Sequence, residues 1–228
     1  MKNLNNYIFE KLNIKDIKRQ YKYKYFPKTR SELRYILKER LKENKNANLN
    51  DIDVSKITDM SYLFSDLDPH NIDISKWDVS NVTNMGSMFE KCTYFNSDLS
   101  NWNVSNVTSM IYMFAFCHKF NADLSKWNVN KVINMRYMFV NCEKFDCDIS
   151  SWNVSNVTDM TAMFAICKEF NSDLSNWDVS NVTDMYNMFS NCKNFNSDLN
   201  KWNVSNVTDM RHMFDNCTSL KNKPSWYK

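Results

Sequence analysis

Cysteine is the residue type in this sequence with the most obvious reactive chemistry. The chain contains seven cysteines, and six of them recur at intervals of 25 residues: Cys92, Cys117, Cys142, Cys167, Cys192 and Cys217. Such a column could form a disulfide framework, or it could supply reduced thiols to a core. Equivalent positions in successive repeats point the same way, which suits disulfide geometry poorly. The pattern therefore favours reduced, buried thiols.

Cys147 lies outside this column and is expected to fill a small-residue slot. Its repeat position is held by serine or alanine elsewhere, at Ser97, Ala122, Ser172 and Ser197. No Ser-His-Asp or Cys-His pairing can be inferred from the spacing, and the single glycine, Gly86, leaves no phosphate-cradling loop. We therefore expect that the protein is not an enzyme.

Metal binding is the other chemistry that these residue types could perform. The three histidines, His70, His118 and His212, occupy non-equivalent repeat positions, and no C-x-x-C pair has zinc spacing. A column of aspartates could hold calcium or could cap turns, since the carboxylates recur one repeat apart at Asp73, Asp98, Asp123, Asp148, Asp173 and Asp198. Without a glycine-rich calcium loop, turn capping is favoured. We expect no metal and no cofactor.

Composition excludes few partners but names none. The 29 basic and 26 acidic residues leave a net charge of +3, which gives no strong reason to expect nucleic acid or an anionic membrane. No apolar run approaches the roughly 18 residues of a membrane span, and the N-terminus lacks the apolar stretch of a signal peptide. These features predict a cytoplasmic protein without membrane insertion, which we expect to be monomeric.

One phrase, WNVSNVTDM, organises most of the chain. It stands at 152–160 and 202–210, with near copies that begin at Trp77, Trp102, Trp127 and Trp177. A period of 25 residues indicates a solenoid in which each coil contacts its neighbours. Within a unit, L-x-x-W-x-V predicts one short parallel strand, and the 3-3-1-3 spacing of V-x-x-M-x-x-M-F-x-x-C predicts one short helix. The fold class is therefore α/β repeat.

Two regions follow from the period. Residues 52–228 are expected to form about seven 25-residue repeats with a truncated C-terminal coil. Residues 1–51 lack the period and are expected to be an N-terminal capping segment. A capping box of Thr29 and Glu32 predicts a helix near 30–43 within that segment.

The motifs WNVSNVTDM, MF and C-x-x-FN-x-DLS resemble the BspA-like leucine-rich-repeat surface proteins of bacteria, in the lipoprotein-like branch with a tryptophan repeat. The resemblance covers residues 52–226. It implies a right-handed leucine-rich-repeat-like solenoid that binds host or neighbouring-cell proteins without catalytic activity. It also implies a cell-surface or secreted location as the alternative to the cytoplasm.

Positions that vary between repeats are the candidates for contact with a partner. The first candidate surface consists of the variable apolar and aromatic residues of the predicted helices: Ile111, Tyr112, Phe116, Tyr137, Val140, Ile166 and Tyr186. These side chains could form a protein-binding patch or could seal the stack of coils. A second candidate surface lies beside the tryptophans, at Lys76, Asn101, Lys126, Asn176 and Lys201. A scaffold for recognition of another protein is the first hypothesis, and a structural, self-assembling spacer is the alternative.

Overall fold

The computed structural model describes residues 22–228, and the first 21 residues of the predicted capping segment lie outside the described part. Within it there is one α-helix, α1, over Arg30–Glu43, and no strand. Isolated parallel bridges take the place of a sheet, at positions such as Asn84–Ser109 and Ser109–Asn134. The prediction of a right-handed leucine-rich-repeat-like solenoid, with one strand and one helix in every coil, is therefore wrong.

Helix α1 begins at a side-chain cap and buries one apolar face. Thr29 is the N-cap, and its hydroxyl accepts a hydrogen bond from the Glu32 amide at 3.2 Å. Leu33, Leu37 and Leu41 recur at the helical spacing and are fully buried against the first coil. The helix thus covers the apolar end of the repeat stack.

Each coil is a succession of turns. We number the coils 1 to 7, starting at residues 52, 77, 102, 127, 152, 177 and 202. In the chain segment through coil 3, amide-to-carbonyl bonds three residues apart close turns at 99–102, 104–107, 110–113, 114–117 and 117–120, with distances of 3.1, 2.9, 3.1, 3.0 and 3.1 Å. Apolar residues occupy the ends of the turns, and polar pairs such as Ser100-Asn101 occupy their corners. The turns therefore bury the same side chains that a helix would bury.

Backbone groups not used in turns bond to the neighbouring coils. The amide of Thr108 donates to Thr83 of the preceding coil at 2.9 Å, whereas that of Tyr112 donates to Arg136 of the next coil at 3.0 Å. The pattern repeats along the stack, so that alternate donors from Met110 to Phe116 bond 24 residues ahead. Buried backbone groups must find partners, and here the neighbouring coil supplies them.

Left-handed backbone explains why the methionine segment is not helical. Coils 2 to 7 each have two residues with positive φ, as at Tyr112 (56°) and Phe116 (63°) in coil 3, and coil 1 has three. A right-handed helix cannot pass through such residues. All positive-φ positions among residues 22–228 are held by non-glycine residues, and the single glycine, Gly86, does not have positive φ.

The core is a set of side-chain ladders that run along the stack. Phe114 stacks on Phe89 and on Phe139 with ring centroids 5.5 and 5.6 Å apart. Trp127 stacks on Trp152 at 6.4 Å with an angle of 3° between rings. Each tryptophan indole donates to a carbonyl about one coil earlier, at 2.9–3.2 Å throughout the column. The residues that recur in each repeat therefore form the apolar core and also supply the hydrogen bonds that join neighbouring coils.

Two arginines of helix α1 donate hydrogen bonds to backbone carbonyls of coil 1. In later coils, the equivalent carbonyls accept from backbone amides of the preceding coil. Arg34 donates to Leu63 at 2.8 Å and to Ser65 at 2.7 Å. Arg30 donates to the carbonyl of Ser61 at 3.3 Å and pairs with Asp59 at 3.1 Å. The helix thus completes the hydrogen bonds at this end of the ladder.

Candidate protein-binding surface

The cysteine column is structural. Each thiol in it donates to the carbonyl of a phenylalanine in the preceding coil, as Cys142 does to Phe114 at 2.9 Å. All seven cysteines are unpaired; five column members are buried, and Cys217 is half-buried. Burial raises the pKa of the Cys142 thiol well above its ordinary value. A protonated, enclosed thiol is a poor nucleophile, which agrees with the expected core-filling role.

Cys147 takes the place of a serine in a turn. Its sulfur accepts the amide of Leu124 at 3.2 Å, whereas Ser172 accepts the amide of Ile149 at the same distance one coil later. The thiol is half-buried, and burial raises its pKa. The geometry matches the small-residue slot that the sequence indicates.

The aspartate column caps turns. Asp148 accepts the amide of Ser150 at 2.9 Å, and the equivalent carboxylates at positions 73, 98, 123, 173 and 198 accept from the residue two positions on. Hydrogen bonds from Ser150 lower the pKa of Asp148 below its ordinary value. Within residues 22–228, no group of three or more histidine, cysteine, aspartate or glutamate side chains could hold a metal ion.

Four of the seven first-surface candidates come together in one place. The side chains of Ala115, Val140, Ala162 and Ala165 form a buried group separate from the main core, against which Tyr112, Phe116 and Tyr137 pack half-buried. We call these seven residues the satellite cluster. Tyr112 stacks on Tyr137 with centroids 4.6 Å apart and 12° between the rings. The alanines and Val140 seal neighbouring coils, and the aromatic rings of Tyr112, Phe116 and Tyr137 stay partly exposed.

The other three candidates lie outside the satellite cluster. Ile111 and Ile166 are half-buried, and Ile166 has a φ of 66°. Tyr186 lies two coils beyond Tyr137, under the Arg211 guanidinium at 5.7 Å and against His212 edge-on at 5.8 Å. The structure does not bring these residues to one site.

Sequence reasoning missed the alanines and Arg136. Ala115 and Ala165 stand where coils 2 and 7 carry Glu90 and Asp215, so replacement of an acid by a small apolar residue was an available signal. Arg136 lies over the Tyr137 ring, with its guanidinium 5.0 Å from the ring centroid. The change from an acidic to a small apolar residue at one repeat position indicates the satellite cluster better than the presence of individual aromatic residues does.

The second candidate surface is a solvated face. Its five members, Lys76, Asn101, Lys126, Asn176 and Lys201, are all exposed. Asn176 lines one shallow groove of about 430 Å³ and Lys201 lines another of about 380 Å³; Asn171 and Asp173 contribute to both. The remaining lining is aspartate, asparagine and serine. These grooves lack the apolar walls of a small-molecule pocket.

No helix among residues 22–228 combines the length and apolar character needed to span a membrane.

Comparisons with known proteins identify a repeat family. The family described as Mycoplasma protein of unknown function, DUF285, matches residues 32–149 and again residues 108–227. No curated protein and no solved structure matched the chain. The two matches overlap and include helix α1 from its third residue onward. The chain belongs to the family described as Mycoplasma protein of unknown function, DUF285.

Proposed function

We propose that the protein is a non-catalytic repeat scaffold that recognises another protein through the satellite cluster, in adhesion or in contact with a host or neighbouring cell. The supporting observation is that coils 3 to 5 hold bulky side chains at left-handed backbone positions. Tyr112, Phe116 and Tyr137 have φ values of 56°, 63° and 57°.

Backbone preference does not account for these residues. A left-handed conformation costs about 1–2 kcal/mol for most residues with a β-carbon, and asparagine tolerates it well. Asparagine holds equivalent positions elsewhere in the stack, at Asn141 of coil 4, at Asn187 and Asn191 of coil 6 and at Asn216 of coil 7. At these positions tyrosine and phenylalanine have a higher conformational energy than asparagine would, but they place aromatic surface on the outside of the coils. This cost favours a role for their side chains.

Composition and shape also support a protein ligand. Tyrosine and arginine are enriched in the energetically important parts of protein interfaces. The stacked pair of Tyr112 and Tyr137 is held in place by the buried Val140 and alanines beneath it, so little side-chain entropy is lost on binding. The resemblance of WNVSNVTDM to BspA-like surface proteins supports a host or neighbouring cell as the source of the partner.

Substitutions that copy the residues found at equivalent positions in other coils provide the test. A variant with Tyr112→Asn, Phe116→Asn and Tyr137→Asn copies the left-handed asparagines of coils 4 and 6 and should retain the fold. Tyr94→Asn is the matched control, because Tyr94 is 53% exposed, lies outside the satellite cluster, and has Asn194 as its equivalent.

Immobilised wild-type and variant proteins are compared for capture from host-cell and bacterial extracts by quantitative mass spectrometry. We expect at least one protein that wild type and the control retain equally and that the triple variant loses at least tenfold. Equal capture by all three folded proteins would contradict the assignment of this surface. Circular dichroism establishes that the variants are folded.

A further inference from the structure

Arg136 differs from the other four arginines among residues 22–228. Arg30, Arg40 and Arg211 form ion pairs with aspartates at 3.1, 3.1 and 2.6 Å, and Arg34 donates to backbone carbonyls. The exposed Arg136 side chain lies over the Tyr137 ring and has no carboxylate within 4.0 Å among residues 22–228. Asp159 attracts this guanidinium from beyond ion-pair distance, so no carboxylate of coils 1 to 7 contacts it.

The aspartate nearest in the repeat pattern is occupied elsewhere. Asp159 accepts the amide of Thr161 at 2.9 Å through Oδ1, and its Oδ2 receives Asn134 at 3.5 Å. The amide of Arg136 itself is capped by Asn134 at 2.9 Å, which fixes the backbone from which the guanidinium extends. The turn that carries Arg136 is thus held in place, and its exposed guanidinium has no carboxylate of the described residues within ion-pair distance.

The stacked tyrosines orient this guanidinium. Arg136 lies over the Tyr137 ring, and Tyr137 lies against Tyr112 in the parallel stack. The hydroxyls of Tyr112 and Tyr137 also interact with this guanidinium, and its remaining in-plane N–H groups fit a carboxylate in a two-pronged geometry. Beside these donors lies the apolar surface of Phe116 and the tyrosine rings.

We propose that the satellite cluster and Arg136 together recognise a protein segment in which an aspartate or glutamate lies next to an aromatic or aliphatic side chain. The carboxylate accepts from Arg136, and the apolar side chain packs on Tyr112 and Phe116. This inference rests on the proposed function and adds the chemistry of the partner. Nucleic acid fits less well, since it needs several phosphate contacts and this surface offers one arginine among apolar side chains.

Peptide selection tests the proposal while the partner is still unidentified. A library of short random peptides displayed on phage is selected on the full chain, and the selected peptides are synthesised for calorimetric titration. Affinities are then measured for wild type, Arg136→Gln, Arg211→Gln and the double variant Tyr112→Asn/Tyr137→Asn. Arg211 is the matched control because it also lies over a tyrosine, but its charge is paired with Asp209.

We expect the selected peptides to be enriched in an acidic residue next to an apolar one. Affinity should fall at least tenfold with Arg136→Gln and should change less than about twofold with Arg211→Gln. A glutamine in place of the acidic residue of the peptide should cause the same loss, without a further loss in Arg136→Gln.

Two other results are distinguishable. Peptides that require Tyr112 and Tyr137 but contain no acidic residue, or that bind Arg136→Gln as tightly as wild type, would overturn the carboxylate inference and leave the proposed function intact. If every selected peptide binds the double tyrosine variant with full affinity, both proposals fail.

Discussion

Replacement of Trp152 by phenylalanine tests whether the tryptophan ladder fastens one coil to the next. The indole of Trp152 is buried and donates to the Leu124 carbonyl at 3.0 Å. That carbonyl also accepts the amide of Trp127 at 3.0 Å, so it keeps one partner in the variant. Trp152→Phe therefore removes one hydrogen bond and part of one buried ring.

The expected loss in unfolding free energy is about 2 kcal/mol. Loss of the hydrogen bond costs about 1 kcal/mol, because the carbonyl is not left without a donor. The smaller ring forfeits about another 1 kcal/mol of burial. Trp226 provides the matched comparison, since it makes the same bond to Leu199 at 2.9 Å but is half-buried. For Trp226→Phe we expect about half that loss.

Urea unfolding followed by far-ultraviolet circular dichroism measures both variants, with the slope of the transition as a check on cooperativity. Trp152→Phe should lower the midpoint more than Trp226→Phe. If the two variants lose equal stability, or if Trp152→Phe loses less than about 0.5 kcal/mol, the indole bond does not contribute as inferred.

Three further predictions follow from the turns and the cap. Asn141 has a φ of 60°, so Asn141→Val should lower the unfolding free energy by about 1–2 kcal/mol and Asn141→Gly should have little effect, as measured by urea midpoints. The lowered pKa of Asp148 contributes stability above the ordinary aspartate pKa of 3.8, which is lost as pH falls through the lower folded-state pKa. Asp148→Asn keeps an acceptor oxygen but does not titrate, so the melting temperature of this variant should fall less between about pH 5 and pH 2 than that of wild type. Identical pH profiles would show that the Asp148 carboxylate does not contribute to acid sensitivity. Arg34→Met leaves carbonyls of coil 1 without donors and should cost about 2–3 kcal/mol by urea unfolding, against a negligible change for the exposed Lys38→Met.

The buried columns could be predicted from sequence, whereas the backbone that carries them could not. Met110, Met113, Phe114 and Cys117 have the spacing of a helical face, and a chain of turns that closes every three residues buries the same positions. Hydrophobic periodicity reports which side chains face inward and does not distinguish these two backbones. Only the residues at the turn corners could have distinguished a chain of turns from a helix.

Residues at the turn corners were ambiguous for a physical reason. Asn141 and Asn187 are compatible with left-handed backbone, but Tyr112, Phe116 and Ile166 at equivalent positions are not residues from which it would be inferred. Stacking across coils overrides their local preference. At the end of the repeat, Thr29 and Glu32 indicated a helix from local capping chemistry, and that region does contain helix α1.

The candidate surface was only partly accessible to sequence reasoning. Variable aromatics could be recognised by comparison of repeat columns, and Tyr112, Phe116 and Tyr137 do pack together. Their stacking, and the absence of an ion pair at Arg136 among the described residues, depend on the offset between adjacent coils. That offset is set by backbone bonds 24 residues apart, which no short motif displays.

Because coils 2 to 7 offer their neighbours the same tryptophan, phenylalanine and carbonyl contacts, these coils are interchangeable modules. Recombination between the two identical copies of WNVSNVTDM, which begin at Trp152 and Trp202, would add or delete 50 residues, or two whole coils, in phase with the ladder. Such events keep the core continuous, and they move or duplicate groups of exposed side chains on the surface. A lineage could thus diversify its outer face by copying coils, without having to invent a new interior each time.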